Sequence, residues 1–200
     1  MNFYIADLHI GDRRALDYDD RPFSTVDEEM ETFIRNWNSV IQKRDNIYIL
    51  GDLFINNDYL DVVMPELGGI KHLVRGNHDK VTPAFKKYFV SIDNQIKIED
   101  YGRRVTLSHY PIVHFEGADL GWIHLYGHIH MGRDYLPFMK YKRELLKRGL
   151  PLNCYNVGCM LPYMNYTPQC LDIIIKEGRK WEEALFAEIK AKELAEKQKN

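Results

Sequence analysis

Cysteine is scarce and poorly placed. Cys154, Cys159 and Cys170 are odd in number and form no CxxC pair, which argues against a zinc knuckle or a disulfide framework and leaves buried, reduced thiols as the expectation. Charge of one sign is not in excess either: 27 Lys and Arg face 29 Asp and Glu, for a net charge of -2. A broad basic surface for nucleic acid is therefore not expected. No apolar run approaches the ~18 residues of a membrane helix, and no leader precedes the first apolar stretch, so a cytoplasmic protein without membrane contact is expected. Internal repeats and Pro/Gly/Ser-rich linkers are missing too. With 45% hydrophobic residues, residues 1–200 are read as a single domain.

What is present is an apolar run, Ile47-Tyr48-Ile49-Leu50, that stops abruptly at Gly51-Asp52. It reads as a buried strand, and in open α/β sheets ligands bind at the carboxyl ends of strands. The same pattern recurs four more times. Residues 2–6 deliver Asp7-Leu8-His9, residues 70–75 run into Gly76-Asn77-His78-Asp79, residues 104–108 end at His109, and residues 122–126 end at Gly127-His128-Ile129-His130. Strand alternation would turn Asp7 and His9 to one face, and likewise His128 and His130. Carboxylates and imidazoles suit divalent metals, and an asparagine carbonyl suits a hard ion. Any one of these motifs alone is most simply a solvated loop. Five together, all at strand ends, would leave costly unpaired polar groups in one cleft unless cations joined them. Asp52 is read as the carboxylate shared by two metal ions. His72, His114 and His124 stand at no strand end and receive no role.

The remaining elements frame this pattern. Thr25-x-x-Glu28 forms a capping box before a helix with Val26, Met30, Phe33, Trp37, Val40 and Ile41 along one stripe, closed by Asp45-Asn46. That aromatic stripe is core packing. Residues 12–23 read as a loop beside the site, whose Arg13, Arg14 and Arg21 either grip a phosphate or pair with the loop's own carboxylates. Short helices are predicted over 58–64 and 83–89, and a hairpin joins 95–99 to 104–108 through Tyr101-Gly102. A helix over 138–147, stopped by Gly149 and Pro151, precedes late strands over 154–157 and 171–175. The terminal helix over 181–197 points Trp181, Ala184, Leu185 and Ile189 inward.

The order D-x-H, GD, GNHD, H, GHxH, spread from Asp7 to His130, resembles the calcineurin-like metallophosphoesterase family. Arg21-Pro22-Phe23, Asn36-Trp37-Asn38 and Tyr48-Ile49-Leu50-Gly51-Asp52 resemble the small bacterial and phage phosphoesterases of that family. The resemblance implies an α/β fold, a four-layer α-β-β-α sandwich of two mixed β-sheets packed face to face and flanked by helices, with a dinuclear metal site at the strand ends. It implies one metal held by Asp7, His9, Asp52 and His130, and a second held by Asp52, Asn77, His109 and His128. Two divalent cations can clamp a phosphate and generate a metal-bound hydroxide that attacks phosphorus. His78, beside Asn77, is the expected general acid, oriented by a carboxylate such as Asp79. Mn²⁺ is the first expectation for the cofactor, with Fe or Zn²⁺ also suited to the ligands.

Departures from the resemblance bear on substrate. The segment after Asp52, Leu53-Phe54-Ile55-Asn56, lacks the arginine of the GDxVDRG form found in protein phosphatases and diadenosine tetraphosphatases. Lipid A precursor hydrolases carry arginine where His78 stands, and after His9 the close small relatives read Gly-His where Gly11-Asp12 follows here. The expected substrate is a small phosphodiester, such as a linear or cyclic nucleotide, with a phosphomonoester next. The alternative is a catalytically inactive, metal-binding interaction module on the same fold. A dinuclear amide hydrolase is disfavoured by the lack of an HxHxDH cluster.

Overall fold

In the computed structural model, which describes residues 1–150 and 152–198, two mixed β-sheets are flanked by helices. The first sheet contains β1 (Asn2–Ile5), β2 (Asn46–Ile49), β3 (Ile70–Val74) and β4 (Ser91–Asp93), all parallel in the order β4-β3-β2-β1. Gln169 and Cys170 close its far edge, antiparallel to β1, as the last strand of the chain. The second sheet joins β5 (Gln95–Asp100), β6 (Arg103–Ser108), β7 (Ile123–Tyr126) and β8 (Cys154–Asn156) in that order. β5 and β6 form the expected antiparallel hairpin, and Tyr101 and Gly102 at its tip both have positive φ, the backbone of a tight primed turn.

The parallel strands are apolar runs because both faces are covered. Tyr4, Ile5, Ile47 and Ile49 of the first sheet and Val105, Leu107 and Leu125 of the second belong to one buried cluster. Contacts that fix the sheets to each other include a parallel bridge between Ala6 and Gly158 and a buried hydrogen bond of 2.7 Å from the Tyr4 hydroxyl to Asp100.

Helix α2 (Val26–Val40) begins where the capping chemistry predicts: Thr25 Oγ1 accepts from Glu28 N at 3.1 Å. The Glu28 carboxylate reaches back to Ser24 N instead of Thr25 N. Phe33 and Trp37 are buried, and Trp37 Nε1 donates to Gly68 O at 3.0 Å. The helix ends at Val40 with Ile41 as its cap, short of Asp45, which instead accepts from the chain's amino terminus and from Gln42 N.

Several expectations are corrected. The stretch 12–23 holds a helix, α1 (Arg13–Tyr18), capped by Asp12. The predicted helices over 58–64 and 83–89 shrink to α3 (Leu60–Val63) and α4 (Pro83–Lys86). β4 was not foreseen. Helix α5 (Tyr135–Lys147) starts three residues early; Gly149 follows it with φ of +72°, while the predicted stop at Pro151 lies outside the described residues. The predicted strand over 171–175 is the first part of a 27-residue helix, α6 (Leu171–Lys197). Its Ile-rich run has strand composition, but Leu171, Ile174 and Gly178 are buried at helical spacing, and packing overrides that propensity. Farther along, Ile189 is buried, whereas Ala184 is exposed. Cys154 and Cys159 are buried free thiols; Cys170 is only partly covered.

Candidate metal centre

Every predicted strand-end motif arrives at the same place. β1 delivers Asp7 and His9, β2 delivers Asp52, β3 delivers Asn77, β6 delivers His109 and β7 delivers His128 and His130. Strand alternation does not place Asp7 with His9 or His128 with His130, because these residues are not extended. Among the described residues nine non-glycine residues have positive φ, and five of them are Asp7, His9, Asp52, His128 and His130. Left-handed backbone at a non-glycine residue costs on the order of 1–3 kcal/mol and persists where the surroundings over-determine it, often at functional sites. Asp and His tolerate it better than most residues. Asp7 N donates to Gly51 O at 3.1 Å and His9 N to Asp52 O at 2.9 Å, so the first two loops hold each other.

Glycine before Asp52, Asn77 and His128 allows the close approach. A Cβ on Gly76 would lie 2.2 Å from Asp52 Oδ1, and one on Gly51 would lie 2.4 Å from His109 Nδ1. Neither position has room for a side chain.

Two clusters result, Asp7 with His9 and His130, and Asp52 with His109 and His128. In the first, the Nε2 atoms of His9 and His130 stand 3.2 Å apart, and Asp7 Oδ1 is 3.8 Å from His130 Nε2. In the second, His109 Nε2 is 3.2 Å from His128 Nδ1 and 3.0 Å from Asn77 Oδ1. Asp52 Oδ2 lies between them, 3.7 Å from His9 Nε2 and 3.3 Å from His109 Nε2. Facing imidazole nitrogens at that separation share at most one proton, and each pair stands beside a buried carboxylate. The donor set of carboxylate oxygen, amide oxygen and imidazole nitrogen fits divalent cations. Two of the far nitrogens are also committed. His109 Nδ1 donates to Leu50 O at 2.8 Å and His130 Nδ1 donates to Asp19 at 2.8 Å, which turns Nε2 of each ring toward its cluster. His9 Nδ1 is buried without a hydrogen-bond partner among the described residues.

Electrostatics separates the two carboxylates. Burial pushes Asp7 up. Burial also works to raise Asp52, but the hydrogen bond and charge of His109 outweigh it and hold the carboxyl near 2. Burial would lower His109, yet its bond to Asp52 and the charges of Asp7 and Asp52 carry it up to about 9. His9, with burial and the neighbouring His130 both opposing its charge, falls to about 3.

His78 sits at the exposed lip of the cleft. Its ring is 5.3 Å from that of His9 and its backbone N–H donates to Asp52 Oδ1 at 2.8 Å. Asp79 does not orient it. The Asp79 carboxylate is buried and accepts from the amides of Gly76, Asp52 and Leu53 at 2.7–3.0 Å, so it braces the turns that carry the ligands. Arg21 is likewise no phosphate clamp, being buried against Asp19 and Glu29. Asp19, missed in the sequence, backs His130; its signal was only a carboxylate in a charge-rich segment. Arg14 pairs with Asp12 at 2.9 Å and lines the mouth of the cleft, which has a volume of about 540 Å³. His124 is buried between Thr106 O and Ile112 N, and His72 bonds Ser91, both away from the clusters. No helix among the described residues is long and apolar enough to cross a membrane.

No family model matches the chain. It is 31% identical over 178 residues to the uncharacterized protein MJ1445 of Methanocaldococcus jannaschii, covering 87% of this chain and 89% of that one. The Gene 66 protein of Mycobacterium phage L5 is 28% identical over 159 residues, covering 64% of this chain and 76% of the phage protein. Among solved structures, AQ665 of Aquifex aeolicus, described as a protein of unknown function, has a TM-score of 0.65 at 23% identity over 84% of this chain and 94% of that chain. The last likeness shows a shared fold.

Proposed function

We propose a function for a chain that belongs to the same family as the uncharacterized archaeal protein MJ1445: hydrolysis of small phosphoesters at a dinuclear metal centre of the calcineurin-like kind. One observation carries the reading. Asp52 Oδ2 stands between two clusters whose paired imidazole nitrogens are each 3.2 Å apart. Asp7, His9, Asp52 and His130 would hold one cation, and Asp52, Asn77, His109 and His128 the other. Two bound divalent cations supply Lewis-acid polarisation of a phosphoryl oxygen and a water acidic enough to ionise at neutral pH. The mixed oxygen and imidazole donors suit Mn²⁺ first, then Fe or Zn²⁺.

The chain's own residues supply the rest. Asp52 and Asp7 place negative charge where the cations gather, and the left-handed turns hold the ligands before substrate arrives. His78, at the lip, is the proton donor to the leaving oxygen, a role worth about 10²–10⁴-fold in rate. A cleft of about 540 Å³ matches a small ligand. The substrate is proposed to be a small phosphodiester, such as a linear or cyclic nucleotide, ahead of a phosphomonoester.

The test is hydrolysis of bis-p-nitrophenyl phosphate and p-nitrophenyl phosphate with Mn²⁺, followed by a panel of nucleotides, cyclic nucleotides and sugar phosphates. Activity that disappears in Asp52→Asn supports the enzyme. A protein that takes up metal yet leaves every phosphoester intact would instead be a metal-holding interaction module.

A further inference from the structure

We infer, resting on the two-cation reading above, that Asp19 and Arg21 are positioning residues for one cation only, the one assigned to Asp7, His9 and His130. Both oxygens of Asp19 lie against His130 Nδ1, at 2.8 and 2.9 Å. A carboxylate in that position fixes the imidazole tautomer, aims Nε2 at the metal and raises its basicity as a ligand.

Arg21 holds Asp19 there. Its Nε and Nη2 donate to Asp19 Oδ2 at 3.1 and 2.8 Å, and Nη1 donates to Glu29 Oε1 at 2.8 Å. The two remaining N–H groups donate to backbone carbonyls, Leu8 O at 2.8 Å and Asp7 O at 2.9 Å. A guanidinium has five N–H donors, and all five are engaged, so none remains for a substrate phosphate. The single Arg21 guanidinium thus ties together the carboxylate behind His130, the loop that carries Asp7 and His9, and helix α2 through Glu29. The Arg21, Asp19 and Glu29 side chains are 0%, 2% and 1% exposed, so solvent does not weaken the arrangement.

The other cluster is built differently. His109 Nδ1 bonds the neutral carbonyl of Leu50 at 2.8 Å, with the Asp7 carboxylate only at 3.9 Å, and among the described residues no carboxylate hydrogen-bonds the far nitrogen of His128. The two sites should therefore respond differently when the Asp19 support is removed.

Metal-stripped wild type, Asp19→Asn, Asp19→Ala and Arg21→Lys are titrated with Mn²⁺ by calorimetry, and partly loaded samples are examined by electron paramagnetic resonance. Wild type is expected to take up two equivalents. Asp19→Ala is expected to lose about 10–100-fold in affinity at one step and to leave the other unchanged. Its resonance signal should change from a coupled pair toward an isolated ion. Asp19→Asn keeps an acceptor for Nδ1–H and should lose less at the same step. Because it leaves Arg21 with a hydrogen-bond partner, it remains a test if Asp19→Ala fails to fold. Arg21→Lys cannot make five bonds and should weaken the same step. Equal weakening of both steps, or no weakening of either, overturns the proposal. Wild type binding fewer than two equivalents would overturn the functional reading itself, whereas two equivalents bound with wild-type affinity at both steps in every variant would overturn only the positioning role.

Discussion

Asp52 shows how a single residue can be pulled in two directions. Its backbone is left-handed with φ of +53°, its N–H donates to Asp79, and its side chain accepts from the His78 N–H while facing two imidazoles. Among the described residues the His78 side chain makes no hydrogen bond, and its ring meets the site only edge-on against His9 at 5.3 Å, so it can be removed without taking away a ligand atom. His78→Ala is therefore expected to retain two equivalents of Mn²⁺ while slowing substrates with poor leaving groups by about 10²–10⁴-fold. Nitrophenyl esters, whose leaving group needs no proton, should lose far less. Equal losses on both kinds of ester would remove proton donation as its role. At this scale much was readable, because a glycine and a ligand-type residue directly after an apolar run leave a sequence trace. The positive φ angles left none, since Asp and His carry no mark of left-handed backbone. Asp19 was unreadable for another reason: it reaches His130 across 111 residues, and only the fold brings them together.

Among the elements, α2 separates packing from function. Trp37 is buried in the main core cluster and donates to Gly68 O, while Thr25 caps the exposed start of the same helix. Trp37→Ala is expected to cost about 3–5 kcal/mol, and Thr25→Ala about 1 kcal/mol, both measured by denaturant unfolding. Neither should change the stoichiometry of metal uptake at temperatures where the variant is folded. The helical stripe was legible because 3.6-residue periodicity survives over fifteen residues. The start of α6 was not, since five residues of mainly Leu and Ile fit a strand as well as a helix until their packing is known. The short α1 was hidden inside a charged segment whose helix-forming signal, the Asp12 cap bonded to Arg14 N, spans only three residues.

Across the whole molecule, the candidate centre spans both sheets: Asp7, His9, Asp52 and Asn77 come from the first, and His109, His128 and His130 from the second. Without cations, the direct ties between these parts of the site are mainly single hydrogen bonds, such as His128 N to Asp7 and His109 Nδ1 to Leu50 O. A ligand that binds the folded state but not the unfolded chain stabilises by mass action, about 2.7 kcal/mol per site at a hundredfold excess over Kd. Two independent sites would give about twice that, so Mn²⁺ should raise the midpoint of thermal unfolding and a chelator should return it to the metal-free value. Asp52 faces both clusters, so Asp52→Asn should shrink the Mn²⁺-dependent shift at both sites, whereas Asp19→Asn should shrink it mainly at one. A midpoint unmoved by Mn²⁺ at concentrations that support hydrolysis would mean that the cations do not join the sheets, and catalysis would have to be sought elsewhere on the molecule.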